Sequence, residues 1–191
     1  MLNHQYYQAM KMNVVGGGPA GLYFSILLKK LDPDHEITLY ERDGPNDTYG
    51  WGIVFSDKTM AYLRDADPES HNGITRAFET WPNVDVVHRG VKHSVLGNQF
   101  SGVARVAFLN ILQERCKSLG VEMQFHTNIT NVDRVADCDL LVAADGANSL
   151  VRKTYEEIFK PSLDVRKNKY IWLGTERLFH GLTLILRTHE A

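Results

Sequence analysis

The sequence predicts an α/β fold: a parallel sheet wound with helices, into which strands of a second, antiparallel sheet are spliced. Three observations predict it. Asn13 to Val15 is a short apolar run that ends in Gly16-Gly17-Gly18 and leads through a helical pattern to a second run, Glu36 to Tyr40, a βαβ unit of about 30 residues. Leu140 to Ala143 repeats the theme, an apolar strand running into Asp145-Gly146. Between them, Val84 to Arg89 and Val91 to Val95 flank Gly90 as two antiparallel strands.

The elements follow in order. Residues 1–11 are polar and aromatic without an apolar stretch, and read as a disordered leader ahead of a start at Met10 or Met12. Pro19 to Leu31 is a helix with proline in its first turn and Asp32-Pro33 as its stop. Asp43 to Gly52 is rich in Gly, Asn, Asp and Pro and reads as a loop, and Ser56 to Leu63 as a short helix. Val106, Leu109, Leu112, Cys116 and Leu119 recur at three- and four-residue steps, so Val103 to Leu119 is expected to be an amphipathic helix stopped by Gly120. Val121 to Phe125, Tyr170 to Leu173 and Leu182 to Leu186 complete the expected strands. Segments 12–65 and 100–160 are assigned to the wound core of a domain spanning 12–191, and 66–99 and 161–191 to the partial second sheet.

Composition narrows the function classes. The 191 residues are 43% hydrophobic and 23% charged, with net charge −2 and no basic block, which argues against nucleic acid or an anionic membrane as partner. Cys116 and Cys138 form no CxxC pattern, and the eight histidines show no metal-ligand spacing, so neither a disulfide framework nor a metal site is expected. A cytoplasmic setting fits. No GxSxG or cysteine-centred nucleophile stands out, and no catalytic acid or base is assigned.

The motifs point to a nucleotide. In Gly16-x-Gly18-x-x-Gly21, Gly16 permits the tight turn, Gly18 lets the backbone approach a pyrophosphate, and Gly21 lets the helix pack against the strand. Pro19 and Ala20 open that helix, whose free N–H groups and positive dipole end face the phosphates. Glu41, twenty residues after Gly21, ends the second strand. A carboxylate there accepts the ribose hydroxyls of an adenosine and repels a 2′-phosphate, which favours FAD or NAD over NADP as the resident nucleotide. Arg42 beside it completes the candidate contacts, although a solvated loop charge is the plainer reading of Arg42. Arg105 lies in the first turn of its helix, where the macrodipole disfavours a cation and a nearby anion would explain it.

Asp139-Leu-Leu-Val-Ala-Ala-Asp145-Gly146-Ala147-Asn148-Ser149-Leu150-Val151-Arg152, with the glycine motif upstream, resembles the second fingerprint of class A flavin-dependent monooxygenases, the para-hydroxybenzoate-hydroxylase type. Three further segments resemble the anthraniloyl-CoA monooxygenase and salicylyl-CoA 5-hydroxylase branch and, less closely, the tryptophan hydroxylase of violacein biosynthesis. They are Tyr49-Gly-Trp-Gly-Ile-Val-Phe-Ser56, Phe100-Ser-Gly-Val-Ala-Arg105 and Asn168-Lys-Tyr-Ile-Trp-Leu-Gly-Thr175. The resemblance implies a Rossmann-type FAD-binding domain with part of a substrate sheet, and an enzyme that uses NADH or NADPH and O2 to hydroxylate an aromatic acyl-CoA. It places Asp145, Gly146 and Arg105 against the cofactor. Members of the family continue to a later Gly-Asp motif that has no counterpart after Arg152, so the chain reads as an N-terminal piece partnered by the C-terminal portion of the same enzyme. For Trp51 and Trp172, physics alone favours core packing.

Overall fold

The structure, a computed structural model, describes residues 8–167, 169, 171, 173–175 and 181–187. The chain divides into two units, Met1–Thr48 with Leu109–Lys169, and Tyr49–Phe108 with Tyr170–Ala191.

The first unit is built on β1 (Lys11–Val15), α1 (Pro19–Leu31) and β2 (Glu36–Tyr40). After the chain's excursion through the second unit come the main part of α4 (Arg105–Ser118), β6 (Glu122–Gln124), β7 (Leu140–Ala143), and the short α5 (Leu150–Thr154) and α6 (Glu156–Phe159). Its four strands pair in the order β6-β2-β1-β7, all parallel. Central β1 is buried from Met12 to Val15, as a strand covered on both faces must be. The polar residue in that buried run, Asn13, donates from Nδ2 to the Val135 carbonyl at 2.8 Å, which satisfies it in the core. Leu22 and Ile26 of α1, Leu39 of β2 and Leu112 of α4 are fully buried. Each such side chain contributes about 1.5–3 kcal/mol over an exposed one. Gly120, at φ +79, ends α4 in the left-handed conformation that stops a helix.

The second unit holds β3 (Gly52–Ser56), α2 (Asp57–Ala66), α3 (Pro68–Arg76), β4 (Glu79–His88), β5 (Val91–Ala104) and β8 (Leu182–Leu186). The sheet order is β3-β5-β4-β8, antiparallel except for β4 with β8. Only Arg89 and Gly90 connect β4 to β5, both at positive φ (50° and 79°), the two-residue turn whose twist matches the flanking strands. Trp81 lies over Gly102 of the neighbouring strand, so close that a Cβ at 102 would stand 2.8 Å from its ring. Phe55 meets Phe78 and Phe108 at ring-centroid distances of 5.8 and 5.3 Å, and Ile74 of α3 is fully buried. Ser56 and Asp67 cap α2 and α3 by accepting from the Thr59 and Ser70 N–H groups.

The α/β class holds, and several boundaries move. The helix expected from Val103 starts at Arg105, because Val103 and Ala104 pair with Ile53 and Gly52 in the β3–β5 ladder. Val106 is 37% exposed, and Phe108 takes the inward place expected of it. The two strands around Gly90 are longer than expected, and the one from Val121 to Phe125 is shorter. The helix expected at Ser56 to Leu63 runs Asp57–Ala66, while β3 and α3 are elements that periodicity did not reveal. Ile171 and Leu173 carry no strand, and Tyr170 and Trp172 lie outside the described residues, as does Asn168.

Candidate dinucleotide-binding site

From β1 the chain winds outward to β2 and β6 on one side, then returns to place β7 on the other, so the carboxyl ends of β1 and β7 form a point where the strand order reverses. In open α/β sheets this is where a crevice for a ligand opens. The two ends abut here. The Ala144 N–H donates to the Val15 carbonyl at 2.8 Å, and Gly16 and Asp145 follow directly.

The three motif glycines differ in what holds them. Gly16 sits at φ +110, and a Cβ there would stand 2.3 Å from the Ala144 carbonyl oxygen. At Gly21 a Cβ would stand 2.0 Å from the Gly16 carbonyl oxygen, which is the close approach of α1 to β1. Gly18 is unlike both. Its φ is −73°, a value any residue adopts, and a Cβ there would meet nothing within 4 Å. The fold gives no reason for glycine at 18. A group arriving from outside the chain would supply one, because a side chain at 18 would stand in its way.

That group has a receptive surface. Gly18 is the N-cap of α1 with no side-chain capping bond, Pro19 is the first helical residue, and the first turn, which includes Ala20, contains no acid. The N-terminal amides of α1 are thus left to an external acceptor, and the dipole favours an anion. Glu41 stands at the end of β2 beside the same turn. Its Oε2 accepts from the Gly17 N–H at 2.7 Å and its Oε1 from the Asp43 N–H at 2.9 Å, while its backbone pairs with Gln124 and Thr127. A carboxylate has about four lone-pair sites, so both oxygens keep capacity for a sugar hydroxyl. Arg42 points into solvent and pairs with Asp43 at 3.3 Å, the placement of a solvated loop charge.

Asp145 supplies the other wall. Its Oδ2 accepts from the Leu150 N–H at 2.6 Å, bracing the turn, whereas its Oδ1 is buried and has no hydrogen-bond partner among the described residues. A buried carboxylate oxygen left unpaired costs about 1–3 kcal/mol, and a donor on a bound ligand removes that cost. Gly146 lies at φ +80, Ser149 caps α5 by accepting from the Arg152 N–H at 3.0 Å, and the Arg152 guanidinium donates to the Ala147 carbonyl. Gly16, Gly18, Pro19, Ala20, Gly21, Glu41, Arg42, Asp145 and Gly146 therefore share one unit. Arg105 belongs to the other. It is half-buried at the first position of α4, and its N–H donates to the Trp51 carbonyl at 3.0 Å. Sequence reasoning missed the clamp of Glu41 on the Gly17 amide, which no residue spacing encodes.

Among the described residues no group of His, Cys, Asp and Glu could hold a metal ion, and no helix is long and apolar enough to cross a membrane.

No family model matches the chain. By sequence it is 38% identical over 176 residues to a salicyloyl-CoA 5-hydroxylase of a Streptomyces species, covering 92% of this chain and 34% of that protein. It is 30% identical to the 3-hydroxy-4-methyl-anthranilyl-(aryl-carrier protein) 5-monooxygenase of Streptosporangium sibiricum, covering 93% of this chain and 50% of that one. It is 31% identical to the protodeoxyviolaceinate monooxygenase of Chromobacterium violaceum, covering 94% and 49%. The chain thus spans a third to a half of the length of these relatives. Among solved structures, 2-methyl-3-hydroxypyridine-5-carboxylic acid oxygenase (mutant C294A) superposes with a TM-score of 0.67 at 22% identity, covering 77% of this chain and 42% of that one. The flavin-dependent halogenase CmlS gives 0.60 at 19% identity, covering 78% and 31%.

Proposed function

We propose that this chain, a sequence relative of enzymes named as aromatic hydroxylases and monooxygenases and a bearer of the fold of flavin-dependent oxygenases, is the FAD-binding part of a flavin-dependent aromatic hydroxylase. The observation that carries the proposal is Gly18, a glycine that nothing in the fold requires, at the uncapped start of a helix on a strand-order switch point.

The residues fit FAD. The α1 amides receive the pyrophosphate, and absence of a side chain at Gly18 admits it. Glu41, fixed by its two backbone bonds, accepts from the adenosine ribose and disfavours a 2′-phosphate. The buried Oδ1 of Asp145 accepts from a donor on the cofactor. In the other unit, Arg105 supplies a cation toward the same cofactor. Bound FAD, reduced by NADH or NADPH, supplies the activation of O2 for insertion into an aromatic ring. The protein's own task is then to hold the ring and exclude water.

The relatives support a reading of the substrate class. Two of them are named for an aromatic acyl group on a carrier, CoA in one and an aryl-carrier protein in the other. We assign this enzyme an aromatic acyl thioester whose ring bears an amino or hydroxyl donor, such as 2-aminobenzoyl-CoA or salicyloyl-CoA. The carrier offers remote binding energy that orients the ring. The test is a panel on the full-length enzyme of both thioesters, free anthranilate and tryptophan, following NAD(P)H loss and hydroxylated product. Hydroxylation of a thioester is expected. Turnover of a free acid or amino acid alone rejects the thioester, and NAD(P)H oxidation by the flavoprotein with no hydroxylation of any member rejects the hydroxylase.

A further inference from the structure

His126 stands where the backbone favours glycine. Its φ is +54, in the left-handed region that penalises any residue with a Cβ. It follows β6 at the carboxyl end of the parallel sheet, in the same unit as Glu41. The left-handed turn lets two successive amides reach one neighbouring segment, which a regular strand does not allow. The His126 N–H donates to the Asp43 carbonyl at 3.2 Å, and the Thr127 N–H to the Glu41 carbonyl at 2.8 Å. Glycine would make the same two bonds without strain, so the bonds alone do not account for histidine here.

The ring accounts for it. A Cβ at Gly44 would stand 2.9 Å from Cε1 and 3.3 Å from Nε2 of His126, and 2.8 Å from Oδ2 of Asp47. Gly44 is buried beneath these two side chains. Its N–H donates to Asp47 Oδ2 at 2.8 Å, and its carbonyl accepts the Asp47 N–H at 3.1 Å. Gln113 braces the same turn by donating from Nε2 to the Pro45 carbonyl at 2.9 Å. Asp43 is thereby fixed from its C-terminal side, and the Asp43 N–H is the group that orients Glu41 Oε1 at 2.9 Å. The contacts run without a break from the imidazole through Gly44 and Asp43 to the carboxylate beside the glycine turn.

We propose that His126 is a positioning residue for ribose recognition: its ring holds Gly44 and, through Asp43, keeps the Glu41 carboxylate aimed at the ribose hydroxyls of the bound nucleotide. The inference rests on the dinucleotide reading above and adds the residue that sets how sharply the site reads the ribose.

The test uses flavin-stripped full-length protein and its His126→Gly, His126→Asn and Gly44→Ala variants, titrated calorimetrically with ADP and with 2′-deoxy-ADP. Wild type should bind ADP about tenfold more tightly than 2′-deoxy-ADP, the size of one hydrogen bond to a charged group. His126→Gly removes the ring and relieves the backbone. It should melt close to wild type, yet lower that ratio to about threefold or less. Gly44→Ala displaces the ring from the other side and should lower the ratio likewise. Asn tolerates the left-handed conformation and keeps a planar group over Gly44, so His126→Asn should hold the ratio above that of His126→Gly. A merely structural residue would weaken both nucleotides by the same factor. An unchanged ratio in His126→Gly overturns the proposal, whatever happens to the two affinities. Should that variant fail to fold, an unchanged ratio in Gly44→Ala does the same. Equal affinity of wild type for the two nucleotides overturns the ribose role of Glu41, and a wild type that binds neither FAD nor ADP overturns the dinucleotide reading. Both of these show before any substitution is made.

Discussion

Two glycines three residues apart, and unlike in role, make the residue-scale argument. Gly21 is needed by the fold, since a Cβ would press on the Gly16 carbonyl at 2.0 Å, and Gly18 is not, since a Cβ would meet nothing. Gly21→Ala should therefore destabilise the flavin-free protein by about 1–3 kcal/mol, the cost of overpacking. Gly18→Ala should cost under about 1 kcal/mol, the scale of a weak N-cap change, while weakening flavin binding. Urea unfolding of both variants in flavin-free form checks the contrast, and equal destabilisation contradicts it. Glu41 is a second case. Both of its oxygens accept backbone N–H groups, so Glu41→Gln turns an NH2 toward a donor and should cost about 1–3 kcal/mol even without cofactor. An unchanged unfolding midpoint would show that the clamp on Gly17 contributes nothing.

At the scale of elements, legibility followed the locality of the signal. Pro19–Leu31, Glu36–Tyr40 and Leu140–Ala143 were readable to the residue because apolar runs, a proline at the start and an Asp-Pro stop act locally. Val103 and Ala104 were misread because their apolar spacing continues that of α4, whereas pairing with Ile53 and Gly52 of β3, far away in sequence, decides their state. The site was legible in residue type through its two motifs, but the Glu41–Gly17 bond and the buried Oδ1 of Asp145 come from tertiary placement. The β4–β5 turn offers a test at this scale. Gly90, at φ +79, should lose about 1 kcal/mol of stability on replacement by Ala, measured by thermal or urea unfolding. Helix α4 offers another. Burial pushes the Cys116 thiol up from 9.0 to about 12. The unfolded chain releases that proton near pH 9 while the folded chain keeps it, so this contribution is complete below about pH 9 and is lost as pH rises toward about 12. Unfolding midpoints at pH 8 and pH 10 should show the fall, and Cys116→Ala should flatten it; a parallel fall in that variant assigns the alkaline loss to other groups.

For the molecule as a whole, a single unit carries both glycine-motif and Asp-Gly walls, while the Trp51 loop and Arg105 belong to the other. The chain spans only a third to a half of the relatives in which the complete reaction is named. The account's central claim is that the uncapped start of α1, kept open by Gly18, receives FAD. FAD titration of the flavin-stripped full-length protein, wild type beside Gly18→Val, with circular dichroism melting of both, tests it most directly. The account predicts saturable binding with flavin bands near roughly 370 and 450 nm in the wild type, no binding in Gly18→Val, and similar secondary structure in the two. Undiminished FAD binding by a folded Gly18→Val protein would contradict it.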